Sequence, residues 1–264
     1  MANVVKKLAT AALLVVATMP FPVSASGLSG SPAKSITPSE NRIATDLAQF
    51  LFAKPIVMAQ ITSVIDVNLP QSMLTSTDYG VIEESYPGVI DAALAAIRPI
   101  MLKAYEDKLP LLWSQMARHY AENYTADEIV TMLDFYRSPA GVRLLQGVRD
   151  NIDMQDVMDA AVKSGGAQTT ETAAAQRAGG QIAVKAANKS LSNADKVAIF
   201  RFEQSPLGRK IAAFVPSALK IQNDWDTYFP DDTLADIDQA RSAAVTRFMA
   251  EADAQYDNKR AAPN

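Results

Sequence analysis

The chain has 264 residues, with 25 Lys and Arg against 29 Asp and Glu, a single His, no Cys and a net charge of −4. Without cysteine there is no disulfide, thiol nucleophile or thiolate metal site, so stability has to come from burial, and the length suffices for one large or two small domains. A mildly acidic chain is poorly matched to nucleic acid, whose affinity rests on phosphate neutralisation, and no nucleic-acid partner is expected.

Residues 1–25 read as a secretory signal: Lys6 and Lys7 form a positive start, Leu8 to Thr18 is apolar or small, and Val23-Ser24-Ala25 offers small residues for cleavage. The apolar run is shorter than the ~20 residues a bilayer requires, Pro20 and Pro22 interrupt it, and no other segment approaches a spanning length. The expectation is a periplasmic protein, cleaved near Ala25, with no membrane span afterwards. Residues 26–39 are Ser-, Gly- and Pro-rich and read as a flexible lead-in.

A first helical unit is predicted over 40–164. Pro38-Ser39-Glu40 opens it, and Ile43, Leu47, Phe50 and Leu51 make an apolar stripe that should stop near Lys54-Pro55. Ile56 to Val67 suits helix or strand and is read as helix from the spacing of Met58, Ile61, Ile65 and Val67, closed by Leu69-Pro70. Tyr86-Pro87-Gly88 opens the longest pattern, in which Ile90, Leu94, Ile97, Met101, Tyr105, Leu112, Met116 and Tyr120 recur at helical spacing. Pro99 and Pro110 should kink or divide it.

Next comes a tight corner. Thr125 is an N-cap with Glu128 placed for a capping box, and Ile129, Met132, Leu133 and Tyr136 line one face. Ser138 is pushed out of the α region by Pro139, which suits the first position of a new helix, and Gly141 lets the two helices press together. The same construction returns in one gapless register. Ser192 stands for Thr125, Asp195 for Glu128, Phe202 for Phe135, Ser205-Pro206 for Ser138-Pro139 and Gly208 for Gly141. The recurrence argues for internal duplication. Phe135-Tyr136-Arg137-Ser138-Pro139-Ala140-Gly141, behind its capped helix, resembles the signature of a bacterial envelope family, domain of unknown function 2059. The resemblance implies a helical, exported protein and carries no activity or catalytic residues with it.

Residues 165–190 are Ala- and Gly-rich and connect the halves, read as weak helix over flexible linker. The second unit, 191–257, continues through Ile211, Phe214 and Leu219 to Trp225, then Pro230-Asp231-Asp232 opens a last helix. Residues 258–264 are expected to fray. The fold class is therefore all-α, a helical bundle built from two related helical-hairpin repeats, each with a Ser-Pro-x-Gly corner.

Catalytic motifs are sparse. His119, on a helix face beside Tyr120, has no Ser or Asp in a recognised relation to it, and no nucleophile elbow or phosphate-binding loop is present. Asp150, Asp153, Asp156 and Asp159 step by three and read as a solvated face, with a divalent cation as the sharper alternative. No cofactor and no metal is expected, and the chain leans away from enzyme. The favoured function is a non-enzymatic periplasmic module binding another envelope protein through an apolar or aromatic helix face. The possible docking residues are Phe135, Tyr136, Arg137, Ser138, Pro139, Gly141, Phe202, Ser205, Pro206 and Gly208. The alternative is a carrier holding a small apolar ligand between helices, lined by Met58, Met101, Met116, Met132 and Trp113; a hydrolase using His119 ranks last.

Overall fold

The computed structural model describes residues 37–75, 77–151 and 170–261, and every regular element among them is helical. The signal, the lead-in before residue 37, and Asp153, Asp156 and Asp159 lie outside the described residues.

Helix α1 (Pro38–Leu51) begins with a capping box. Thr37 accepts the Glu40 N–H, and Glu40 accepts the Thr37 N–H at 2.9 Å. Ala44, Leu47, Ala48 and Leu51 form its buried stripe. Helix α2 (Lys54–Ser63) then passes through a π-helical turn, Val64–Asn68, into α3 (Leu69–Leu74). The expected stop at Leu69-Pro70 is therefore corrected. Pro70 cannot donate to the carbonyl one turn back, but the wider turn lets the Leu69 N–H bond the Val64 carbonyl, and the chain rounds the proline without leaving the helix.

One consequence is that the run Pro38–Leu74 is, by length and composition, long and apolar enough to cross a membrane. The sequence suggested no such segment beyond the signal, because Pro55 and Pro70 hide its continuity. Here Leu47, Leu51, Val57, Ile61, Ile65 and Leu69 pack in the core, while 33% of the qualifying window is buried.

Helix α4 (Thr77–Ser85) leads to Gly88, whose φ of 97° is readily taken only by glycine. The Glu83 carboxylate accepts the N–H groups of Gly88 and Ile90 at 2.7 and 3.0 Å, which seats the start of α5 (Val89–Asn123). Pro99 and Pro110 lie within α5 and do not divide it. Each removes one backbone bond, and the packing of α5 against α1, α2, the later α10 and the last helix holds the rod together.

The corner helices are α6 (Ala126–Arg137) and α7 (Pro139–Asp150). Helix α8 (Thr170–Ser190) settles most of the connection as helix rather than linker. After it come α9 (Asn193–Gln204), α10 (Pro206–Thr227) and α11 (Asp231–Ala261). The last helix runs on through Ala261, past Asn258 where fraying was expected.

Burial joins the two halves. Leu47, Ile97, Leu112, Met116 and Ile129 share one core with Ile211, Trp225, Phe229 and Ile237. A smaller cluster unites Leu144 and Val148 of α7 with Ala183, Val184 and Ala187 of α8 and Ile199 of α9.

Candidate functional site

At the first corner, Thr125 and Glu128 complete a reciprocal capping box, the Thr125 N–H donating to Glu128 Oε2 at 2.8 Å. Ser138 ends α6 and caps α7 at once, with φ −65° and ψ 156°. Its Oγ accepts the Gly141 N–H at 3.2 Å and donates to the Phe135 carbonyl at 2.6 Å. A Cβ on Gly141 would sit 2.2 Å from that carbonyl oxygen, so glycine is a steric requirement.

The second corner repeats this geometry. Ser192 and Asp195 form the box, and Ser205 has φ −66° and ψ 157°. Ser205 Oγ accepts from Gly208 at 3.0 Å and donates to the Phe202 carbonyl at 2.6 Å. A Cβ on Gly208 would again lie 2.2 Å from the Phe202 oxygen.

The two corners face each other. The rings of Phe135 and Phe202 stack with centroids 3.8 Å apart and planes 2° from parallel. Arg143 grips Asp195 with Nε and Nη2 at 2.9 and 2.5 Å, and Lys210 Nζ reaches both oxygens of Glu128 at 2.9 and 2.6 Å. Arg143 and Lys210 occupy the same register position in their copies, as do Glu128 and Asp195. Each corner's cation therefore closes on the acid of the other corner's capping box, and the like aromatics meet between them. That is the exchange expected of a two-fold contact.

The charges follow the contacts. The Arg143 guanidinium, helped by the Ser192 hydroxyl, holds the Asp195 carboxyl down to about 2. Burial raises Glu128, but the bonds from Lys210 and Thr125 outweigh it and its pKa falls below the usual value.

Most of the sequence-derived docking residues are thus turned inward or engaged in the turns. Phe135 and Phe202 cover each other, and Tyr136 is buried edge-on to Phe135 at 5.2 Å. Gly141 and Gly208 are buried, Ser138 and Ser205 are caps, and Pro139 and Pro206 are the exposed first residues of their helices. Arg137 is exposed, its guanidinium 5.3 Å above the Phe50 ring of α1.

His119 is buried between Tyr120 and Phe214, and burial lowers its pKa. Its ring nitrogen faces the Asn123 amide at 3.2 Å, and among the described residues no carboxylate or hydroxyl bonds it. Met101, Met116 and Met132 lie in the main core with Met58 and Trp113 against it, and the Trp113 indole donates to the Phe52 carbonyl at 2.8 Å. Among the described residues no cluster of three or more His, Asp and Glu could hold a metal ion.

Two features escaped the sequence. The first is Lys108, buried in α5. Its ammonium donates to the carbonyls of Trp225, Asp226 and Tyr228 at 2.9 to 3.0 Å, capping the end of α10. It also sits 3.8 Å over the Phe229 ring and 4.2 Å over Tyr105. Burial brings its pKa down to about 8, against the pull of Asp226. The Trp225 indole returns a bond to the Lys108 carbonyl at 2.8 Å, and Tyr105 donates to Asp226 at 2.9 Å. A lysine at helical spacing among apolar residues gives no local sign of such distant partners.

The second is Phe200, which is 60% exposed, with Val197 beside it at 48%. A register comparison finds it: Phe200 stands where the first copy has Leu133, which is 6% exposed.

No curated protein and no solved structure matches the chain. A family described as "Uncharacterized protein conserved in bacteria (DUF2059)" matches residues 112–178, from the end of α5 through the first corner into α8. Over that segment the chain is similar to the domain of unknown function 2059 family.

Proposed function

We propose that this is an exported, non-enzymatic helical module, made by internal duplication, that binds another protein of the bacterial envelope. The observation that carries the reading is the exposure of Phe200 on α9, where its counterpart Leu133 is buried on a helix packed beneath α1. A folded chain with a large core and an outward phenylalanine on a helix has surface suited to a partner. His119 is buried against Tyr120 and Phe214 with the Asn123 amide at its ring nitrogen, which supports a packing role for it. The reciprocal corners favour duplication, since each copy supplies the same cap, aromatic, cation and glycine to one joint.

A photo-crosslinking amino acid placed in turn at exposed Val81, Phe200 and Tyr256, in cells that export the protein, tests this reading. The expected result is a discrete adduct with one envelope protein from at least one position. Absence of any adduct from all three would overturn it.

A further inference from the structure

Among the described residues, helix α9 has no counterpart of α1. In the first copy α1 packs along α6, with Phe50 of α1 under Arg137, and Ile129 and Leu133 are buried. In the second copy α9 packs chiefly on α7 and α10, and the equivalents Lys196, Phe200 and Gln204 are exposed. At 100° per residue, Phe200 and Val197 lie side by side on this outer face, with Lys196 along one edge and Arg201 along the other.

The charge that borders this strip is basic: Lys196 and Arg201 flank it, and between residues 178 and 210 the chain also carries Lys185, Lys189, Arg209 and Lys210, the last held by Glu128, against Asp195 and Glu203. Asp195 is held by Arg143, and Glu203 is half-buried, so the outward charge is basic. Among the described residues neither Lys196 nor Arg201 has an ion-pair partner.

We propose that this side of α9 receives an acidic amphipathic helix of a partner protein, in the place that α1 takes on α6. The inference rests on the interaction reading above and adds the site and the chemistry of what it holds. The apolar strip is two side chains wide, with Asn193 and Gln204 at its ends, which suits one helix laid along it. A bilayer surface calls for a broader apolar face than this.

The test uses the full chain and a fluorescent synthetic helix of about five turns, with Leu at i, i+3, i+4 and i+7 spacing and Glu along both edges. A Lys-for-Glu version and anionic phosphatidylglycerol vesicles serve as comparisons. Saturable binding of the acidic helix alone is expected, weakened about tenfold or more by Phe200→Ala and by Lys196→Glu with Arg201→Glu, each variant keeping the wild-type urea midpoint. Equal binding of both helices, insensitivity to these substitutions, or binding only to vesicles would overturn the proposal. Crosslinks from Val81 or Tyr256 but never from Phe200 would sink this site while leaving the interaction reading intact.

Discussion

Phe135 and Phe202 stack face to face at 3.8 Å, each three residues before the serine of its own Ser-Pro corner. A parallel sandwich is not the preferred electrostatic arrangement of two rings, so this contact gains mainly from burial. Two helical corners that share Phe, Ser-Pro and Gly at matching positions are joined through that phenylalanine.

Phe135→Ala and Phe202→Ala should each lose about 2 kcal/mol in urea unfolding, less than a fully buried Phe because both rings are half-buried. The double variant should lose less than the sum, by about 1 kcal/mol. Strict additivity would mean the rings do not support each other.

Gly141→Ala and Gly208→Ala should destabilise, although Gly→Ala inside a helix ordinarily stabilises by about 0.4–1 kcal/mol. The new methyl would meet a backbone oxygen at 2.2 Å, and backbone cannot swing aside as a side chain can. A loss of about 1–3 kcal/mol is expected for each by thermal or urea unfolding, and a gain would show that the corner relaxes freely.

Asp195 should shape acid stability. Its folded pKa of about 2 lies below the unfolded value of 3.8, so the unfolded chain binds the proton first. The contribution is fully present above about pH 4 and is lost as pH falls through about 2. Asp195→Asn should flatten the urea midpoint against pH in that window relative to wild type; an unchanged slope would contradict the pairing with Arg143.

Lys108 gives a slope of the same sign at alkaline pH. Its folded pKa of about 8 lies below the ordinary 10.5, so between these values the unfolded chain holds a proton that the folded chain has released, and stability rises with pH. Above 10 the trend reverses, because burial and Asp226 keep Tyr105 protonated in the fold while unfolded tyrosines ionise. Lys108→Met should abolish the rise and cost about 3 kcal/mol at neutral pH by stranding Asp226 and the end of α10. A rise that persists in the variant would assign it elsewhere.

The local turns were legible in the sequence. Caps, the Ser-Pro breaks and the glycines act over three or four residues, so Thr125, Ser138, Gly141 and their second-copy equivalents could be placed from spacing alone. Contacts between distant segments were not legible. Arg143 with Asp195 and Lys210 with Glu128 join residues far apart in the chain, and only the folded path brings them together. Prolines misled in one direction, because Pro99, Pro110 and Pro70 sit in helices held by tertiary packing or by a π turn. The aromatic motif suggested an outward face, yet stacking turned it inward, and the exposed Phe200 emerges only when the two copies are compared position by position.

The joint is tested most directly by double-variant cycles among Glu128→Gln, Lys210→Gln, Arg143→Gln and Asp195→Asn, measured by urea unfolding. Gln at position 128 keeps the capping box possible, which separates the pair from the cap. The account predicts coupling of about 1 kcal/mol for Glu128 with Lys210 and for Arg143 with Asp195, and additivity within about 0.5 kcal/mol for Glu128 with Arg143 and Lys210 with Asp195. Coupling within a copy and none between copies would contradict the crossed arrangement.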